Sequence, residues 1–252
     1  MASIFTVANQ KGGVGKTTTC ASLGAALAEH GKRVLLIDLD PQAGLSIALG
    51  YAPTDFTRTV YHALVEEEPL KNIVFATKFP GLDLAPSNLD LAGAEAELIG
   101  EIGWDRSLKD ALEPVLPAYD YVLLDCPPTL GILTTNAMVA GHLVIVPIEC
   151  EYLALQALKQ LHTIVAKIRR KANPDLKLKV LRTKVDLRTT LGREVFEEIG
   201  RAGGDQVFQD IFIKKTIKFA ESTAAGEPIL LYATDSEVAQ AYRNLAEELL
   251  RV

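Results

Sequence analysis

The segment "QKGGVGKTTT", residues 10–19, combines closely spaced glycines with a Gly-Lys-Thr end. Because Gly12, Gly13 and Gly15 lack a Cβ, their backbone N–H groups can turn toward an anion at the positive end of a helix. The usual phosphate-binding pattern is a glycine, four free positions and Gly-Lys-Ser/Thr. Its first position here holds glutamine, and the next residue is a second lysine, Lys11. The segment therefore predicts a phosphate-binding loop of altered form.

The Gly-Lys-Thr end of this loop predicts two specific contacts. We expect the Lys16 ammonium to reach the β and γ phosphates, and the Thr17 hydroxyl to ligate Mg²⁺, which prefers oxygen ligands. A dinucleotide loop of the G-x-G-x-x-G type is the alternative, but Thr18 occupies the place of its third glycine. The nucleotide contacts predicted from the loop are Gly12, Gly13, Val14, Gly15, Lys16, Thr17 and Thr18.

Acidic residues end two apolar runs of strand length. Asp38 and Asp40 in "LIDLDPQ" are two residues apart, so both project to one side if the strand geometry persists. Asp125 ends the run in "YDYVLLDCPP", where we expect a Walker B carboxylate that holds Mg²⁺ through its water shell. Phosphoryl transfer also needs an oriented water in line with the breaking bond. We select Asp40 over Asp38 for this role because Asp40 lies nearer the loop mouth.

The whole chain has ordinary globular composition. Its 252 residues are 48% hydrophobic and 23% charged, which predicts one domain over residues 1–252. No apolar run approaches the roughly 18 residues that span a membrane, and the start lacks a signal-peptide pattern, so we expect a cytoplasmic protein. The net charge of −6 argues against nucleic-acid binding over the whole surface, although residues 167–179 and 213–218 are locally basic.

Three cysteines lie far apart along the chain. Cys20, Cys126 and Cys150 form no C-x-x-C pair, which argues against a disulfide framework or a local zinc site. We expect them to be buried, reduced thiols.

Short apolar runs alternate with segments of helix length. A helix is predicted over residues 17–29, with Gly31 as its stop, and a second over residues 236–251 that packs on the sheet through Val238, Tyr242, Leu245 and Leu249. This order predicts an α/β fold, doubly wound, with a mostly parallel sheet and helices on both faces. The predicted strands are residues 4–8, 34–38, 82–86, 121–125, 143–147 and 178–182.

These motifs together resemble the ParA/MinD group of P-loop ATPases, the deviant Walker A class. The resemblance rests on "KGGVGKTTT", "VLLIDLDPQ" and "YVLLDCPP", and it continues through residues 86–98, 146–158 and 226–232, so it covers nearly the whole chain. The chain most resembles the short, Soj-like type of ParA, which lacks the N-terminal DNA-binding extension of longer relatives; here the first predicted strand follows Met1 directly.

The resemblance implies a role for each motif. Lys11 matches the signature lysine that crosses to the partner's nucleotide in an ATP sandwich homodimer, so the loss of the first loop glycine is a family feature. By the same match Lys16 is the loop lysine, Asp40 the water-positioning acid and Asp125 the Walker B residue. Asp38 helps to shape the magnesium shell. The cofactors implied are ATP and Mg²⁺, and hydrolysis is slow until a partner activates it.

The resemblance also implies partners. ParA-like dimers bind double-stranded DNA without sequence preference and are activated by a ParB-like protein, which would make this protein nucleoid-associated and would let it segregate DNA or another cargo. Lys214, Lys215 and Lys218 in "IFIKKTIKFAESTA" stand where relatives carry arginine, and we predict that they contact the phosphate backbone. The alternative reading of this segment is a solvated surface.

Four other readings remain open from the residues. A MinD-like protein would bind membrane through a basic amphipathic C-terminal helix, whereas this chain ends "AYRNLAEELLRV". Iron–sulfur relatives need cysteines that bridge two subunits, and amide-ligase relatives need a pocket for an organic substrate.

"TKVD", residues 183–186, resembles the Asn-Lys-x-Asp guanine motif, but its threonine also matches the Thr-x-x-Asp of ParA-like chains. We therefore predict that Thr183 contacts the nucleotide and that the base is adenine.

Overall fold

A computed structural model describes residues 2–151 and 154–251. Tyr152 and Leu153, which belong to the segment 146–158 quoted above, lie outside this part, as do Met1 and Val252. The strands are β1 (Ser3–Val7), β2 (Val34–Asp38), β3 (Phe75–Ala76), β4 (Leu82–Ala85), β5 (Tyr121–Asp125), β6 (Leu143–Glu149), β7 (Lys177–Val185) and β8 (Val207–Lys214). They form one sheet in the order β3-β4-β2-β5-β1-β6-β7-β8.

The helices connect these strands. They are α1 (Lys16–Glu29), α2 (Gly44–Ala48), α3 (Val60–Val65), α4 (Leu91–Leu98), α5 (Ser107–Leu112), α6 (Ile132–Ala140), α7 (Ala154–Lys171), α8 (Thr190–Gly203), α9 (Lys218–Ala225), α10 (Ile229–Tyr232) and α11 (Glu237–Leu250).

All neighbouring strands pair in parallel except β3, which runs antiparallel to β4 at one edge. The predicted doubly wound α/β fold is therefore confirmed. Within the sheet, β2 lies on one side of β1, and β6, which comes later in the chain, lies on the other side of β1. The carboxyl end of β1 is thus a topological switch point, where open α/β sheets bind ligands.

The central strands are buried because alternate side chains enter two different cores. Leu35 and Ile37 of β2 pack with α3 to α7 on one face, whereas Val34 and Leu36 pack with α1 and α11 on the other. Strands covered on both faces read as continuous apolar runs, which is why the sequence located them. The stripe on α11 is confirmed, since Val238, Tyr242, Leu245 and Leu249 are all buried in the second core.

Two strands were missed and two predicted strands are longer than expected. The sequence analysis did not predict β3 or β8. Strand β6 extends to Glu149 and β7 to Val185, so Thr183 lies within a strand rather than after one. Pairing between β7 and β8 is irregular on both sides of Arg182, whose buried guanidinium donates to the carbonyl oxygens of Phe208 and Gln209.

Candidate functional site

The glycine-rich loop joins the end of β1 to the start of α1. The Asn9 side chain holds its first turn: its Oδ1 accepts from the Lys11 N–H at 3.0 Å, and its Nδ2 donates to the Pro147 carbonyl at 2.7 Å. Gly13 and Gly15 have φ of +73° and +96°, a region that L side chains rarely adopt. Gly15 is the N-cap of α1, and no side chain caps that end of the helix. The first-turn N–H groups can therefore face an anion.

The Lys16 side chain lies inside the loop. It is almost fully buried, and its ammonium donates to the Lys11 carbonyl oxygen at 3.4 Å. Among the described residues no carboxylate forms an ion pair with it. A buried ammonium that no described carboxylate pairs with suits an anionic ligand such as a phosphate.

Two buried carboxylates face this loop from adjacent strands. Asp38 and Asp125 stand opposite each other in the parallel register of β2 and β5, and both are inaccessible to solvent. Asp38 is well satisfied: it accepts from the N–H and the hydroxyl of Ser46, both at 3.0 Å, and from the Asp40 N–H at 3.2 Å. Burial nevertheless raises the pKa of Asp38 to about 6.

Asp125 has no such support. Neither of its carboxylate oxygens makes a hydrogen bond of good geometry within the described part of the chain. Burial and the nearby Asp38 carboxylate raise the pKa of Asp125 well above its usual range, and the Thr17 hydroxyl and the Lys16 ammonium only partly oppose this. Two orphaned carboxylate oxygens next to a threonine hydroxyl provide the hard oxygen donors that Mg²⁺ prefers, so these residues fit the predicted metal.

Asp40 differs from its prediction in one respect. Strand β2 ends at Asp38, so the strand alternation that was to place Asp38 and Asp40 on one side does not continue. Asp40 lies in the turn before α2, half-buried, and its Oδ1 accepts from the Gln42 N–H at 2.9 Å. The turn still brings Asp40 to the wall of the same cavity as the glycine-rich loop.

The cavity over the loop has a volume of about 520 Å³. Away from the loop it is lined by Thr183, Ile213, Thr216 and Phe219, a mixed apolar and polar wall that suits a base and a sugar. The Thr183 hydroxyl donates to the Val14 carbonyl at 2.8 Å, which ties β7 to the loop. All the predicted loop contacts from Gly12 to Thr18 line this one cavity.

The acid of the "TKVD" segment does not line the cavity. Asp186 instead accepts from Nε and Nη2 of Arg188, at 2.8 and 2.7 Å, on the surface. This pairing, together with the Arg188 backbone N–H, lowers the pKa of Asp186 to about 2. The carboxylate that would have to bind guanine in this motif is therefore paired with Arg188 instead.

Lys11 lies on the rim of the loop, outside the phosphate cradle. Its ammonium donates to Glu149 at 3.2 Å and also contacts Glu151 closely; Glu149 ends β6, and Glu151 lies two residues later, after Cys150. The hydrogen bond with Glu151 is the main cause of the raised pKa of Lys11. Both glutamates lie in the segment 146–158, and its sequence pattern predicted no role for them.

The three predicted DNA-contacting lysines do not share one environment. Lys214 is exposed and pairs with Glu237 at 2.6 Å, and Lys218 is exposed at the start of α9. Lys215 also lies at the surface but lines the nucleotide cavity.

The cysteines only partly match their prediction. Cys20 and Cys126 are buried, and burial raises the pKa of both thiols. Cys150 is only half-buried, which corrects the expectation for that residue, because it lies in the loop just beyond the end of β6.

Comparison with known proteins identifies the family. A family model described as an AAA domain matches residues 2–178. The chain is 44% identical over 250 residues to the sporulation initiation inhibitor protein Soj of Bacillus subtilis, covering 99% of this chain and 98% of Soj. It is 42% identical to the chromosome partitioning protein ParA of Caulobacter vibrioides, covering 98% and 93%. The chain belongs to the ParA/Soj family.

The solved structures agree with this ParA/Soj fold. The chain is similar to a structure described as cobyrinic acid a,c-diamide synthase from Mycobacterium smegmatis with bound ATP analogue and magnesium. The identity is 40% and the TM-score 0.88, over all of this chain and 95% of that one. This ParA/Soj member is thus a P-loop ATPase, as the sequence predicted. Its single-domain organisation and the roles of its individual residues stay predictions.

Proposed function

We propose that this ParA/Soj-type ATPase is a dimerising switch. Two subunits enclose ATP and Mg²⁺ face to face, the dimer binds double-stranded DNA without sequence preference, and a ParB-like partner stimulates the hydrolysis that separates the subunits. The observation that carries the nucleotide chemistry is the buried Asp125 carboxylate beside Thr17 and Lys16, which has no hydrogen-bond partner among the described residues. Such a group is costly in an empty site and stabilising in one that holds a cation.

Each residue of the site has a proposed task in hydrolysis. The N–H groups of the loop and the Lys16 ammonium bind the phosphates, and Thr17 with Asp125 holds the metal, directly and through water. Magnesium, when bound with the nucleotide, supplies positive charge to the phosphate oxygens. Asp40, on the cavity wall, orients the attacking water and accepts its proton.

The dimer depends on Lys11. In the single subunit its ammonium stays on Glu149 and Glu151, outside its own phosphate cradle. Both Lys11 and Glu151 are about half exposed, and ion pairs in such surroundings contribute about 0–1 kcal/mol. A triphosphate presented by a second subunit offers stronger, better shielded anionic acceptors. We infer that Lys11 exchanges its own acids for the partner's phosphates, so that loss of the γ phosphate reverses the exchange.

Mixed dimers test whether Lys11 acts in trans. Lys11→Ala should bind ATP without dimerising or hydrolysing it, and Lys16→Ala should fail to bind ATP but still carry Lys11. When the two variants are mixed, each Lys11→Ala subunit receives the missing ammonium from a Lys16→Ala partner, so hydrolysis should rise well above that of either variant alone.

The controls for this mixing experiment separate trans from cis action. Steady-state phosphate release measures activity, and analytical ultracentrifugation shows whether the mixed dimer forms. A mixed dimer that forms but stays as inactive as its components would contradict the proposal. So would a Lys11→Ala protein that dimerises and hydrolyses ATP normally by itself.

Exposed lysines support the DNA-binding part of the proposal. Lys214 and Lys218 lie at the surface near the nucleotide cavity, where dimerisation would bring two sets together and double the local positive charge. Lys215 lines the cavity itself, so its charge also acts on the nucleotide. This arrangement is consistent with DNA binding that depends on ATP in a protein of net charge −6.

The membrane alternative is less well supported. The amphipathic helix α11 already buries Val238, Tyr242, Leu245 and Leu249 in the core, so this face is not available for a bilayer. No helix of the described residues is long and apolar enough to cross a membrane. Sedimentation with anionic vesicles and ATP distinguishes the two readings, because the proposal predicts that the protein stays in the supernatant.

The name of the mycobacterial structure suggests another class, an ATP-dependent amide synthase. Relatives named for partitioning match this chain at similar identity and length, which favours the switch. ATP hydrolysis that requires cobyrinic acid and an ammonia donor, and that does not respond to DNA, would favour the synthase instead.

A further inference from the structure

Lys184, the lysine of "TKVD", has an unusual backbone conformation inside a strand. Its φ is +49°, in the left-handed region that disfavours residues with a Cβ. The residue lies where the register between β7 and β8 shifts between Arg182 and Val185. A strained non-glycine residue persists only where its surroundings impose it, and such residues concentrate at functional sites. The strain turns the Lys184 side chain away from the regular strand pattern.

The Lys184 side chain extends across the glycine-rich loop. Its ammonium lies 4.0 Å from the position that a Cβ on Gly13 would occupy and 3.9 Å from Oε1 of Glu149. Its main chain follows Thr183, which is tied to the Val14 carbonyl and lines the part of the cavity suited to base and sugar. The four-carbon stem therefore runs from the nucleoside end of the cavity toward its phosphate end.

We propose that Lys184 is a nucleotide-binding residue that acts on the nucleoside half of the ligand. Its apolar stem packs against the ribose and base, and its ammonium contacts the ribose and α-phosphate oxygens beside Gly13. This role rests on the proposed ATP site. It also inverts the expectation from "TKVD": the acid of the motif is bound to Arg188 on the surface, and the lysine is the part that reaches the ligand.

Glu149 fixes the Lys184 ammonium in this place. Glu149 is mostly buried, and Lys11 is its closer partner in the single subunit, at 3.2 Å against 3.9 Å for Lys184. When Lys11 moves to the partner's phosphates, Lys184 remains as the cation beside Glu149. The Lys184–Glu149 pair then tightens, which keeps the ammonium over Gly13 while the nucleotide is enclosed.

Nucleotide binding to monomeric protein tests this role without involving the dimer. In a Lys11→Ala background, Lys184→Met should weaken binding of Mg-ADP and of Mg-ATP by the same factor, roughly tenfold, since it removes a charge-assisted contact made to both ligands. Binding of tripolyphosphate, which keeps an equivalent of the α phosphate but lacks the ribose and base, should weaken by a clearly smaller factor than binding of ADP, because the contacts to the nucleoside are missing from it. Isothermal titration calorimetry measures all three affinities.

Three further variants separate binding from structure. Lys184→Arg should retain most of the affinity for ADP. Lys184→Gly should lose the affinity as Lys184→Met does, yet its Tm should not fall, because glycine adopts the left-handed conformation without strain. Lys71→Met, which removes an exposed lysine remote from the cavity, serves as the matched control and should change no affinity.

Two outcomes would overturn the assignment of Lys184. One is unchanged ADP affinity in Lys184→Met. The other is an equal loss of ADP and tripolyphosphate binding, which would place the contact on the phosphates alone and not on the nucleoside half. Failure of the Lys11→Ala parent to bind ATP at all would instead count against the proposed nucleotide site itself, so the two failures are distinguishable.

Discussion

At the scale of single residues, the two buried aspartates of the site differ in a way that their sequence motifs do not reveal. Asp38 and Asp125 are neighbours across β2 and β5, and both are fully buried. Asp38 is held by three donors from Asp40 and Ser46, whereas Asp125 has none among the residues described. The Asp38 carboxylate therefore supports the turn before α2, whereas the Asp125 carboxylate supports no neighbouring part of the described fold through hydrogen bonds.

This contrast predicts opposite effects of the same substitution. Asp125→Asn removes an uncompensated buried carboxylate, so the nucleotide-free protein should become more stable by about 1–3 kcal/mol while losing magnesium-dependent hydrolysis. Asp38→Asn replaces an acceptor oxygen with a donor next to the Ser46 N–H and should destabilise the fold by a similar amount. Urea denaturation at neutral pH measures both changes. Destabilisation by Asp125→Asn would indicate that this carboxylate has a structural partner.

At the scale of secondary-structure elements, α11 holds the nucleotide-binding helix in place. Tyr242 reaches from α11 to α1, where its hydroxyl lies 3.2 Å from the hydroxyl of Thr19. The other apolar residues of the α11 stripe pack in the same core as α1. The buried stripe positions the start of α1, whose N–H groups face the phosphate cavity, so loss of packing here should affect the whole fold.

Leu245 provides the test of this packing. It is fully buried in α11, and Leu245→Ala should destabilise the protein by about 2–5 kcal/mol through lost apolar contacts and a cavity. Leu231→Ala in α10 is the matched control: this leucine is 52% exposed, and its loss should cost no more than about 0.5 kcal/mol. Equal effects of the two substitutions in a denaturation experiment would refute the packing role assigned to α11.

The elements also show what the sequence could predict. Strands β2 and β5 were predicted with correct ends because both faces are buried and each apolar run ends at an aspartate. Strand β8 was missed because its exposed residues interrupt the apolar run, and because its pairing with β7 is irregular around the buried Arg182.

The site was predicted where a motif fixes the backbone, and missed where tertiary contacts decide. The glycine-rich loop, Asp38 and Asp125 follow from spacing and strand ends alone. The pairing of Lys11 with Glu149 joins residues far apart in the chain. The residues next to Lys184 in the sequence give no sign of its left-handed conformation. Both depend on how β6 and β7 meet the loop, which only the folded chain shows.

At the scale of the whole molecule, an acidic protein must concentrate positive charge to bind DNA. The chain has a net charge of −6, so the monomer as a whole repels a phosphate backbone. In the proposed dimer, two copies of Lys218 on one face would overcome this repulsion locally. DNA binding should therefore require ATP and weaken steeply with salt.

The salt dependence gives a quantitative test of Lys218. Lys218→Gln removes one phosphate contact per subunit, so the slope of log affinity against log salt should fall in magnitude by about 2 for the dimer. Lys71→Gln, with the same charge change far from the cavity, should leave the slope unchanged. Fluorescence anisotropy with a random-sequence duplex and ATP measures both, and an unaltered slope in Lys218→Gln would reject the contact.

The position of Lys11 in the dimer tests the central claim most directly. Asp40→Ala should bind ATP and dimerise without hydrolysing it, which permits crystallisation of the complex with Mg²⁺. The account predicts that the Lys11 ammonium has left Glu149 and Glu151 and lies within about 3 Å of the phosphate oxygens bound by the other subunit. A dimer in which Lys11 still contacts the two glutamates of its own chain would contradict it.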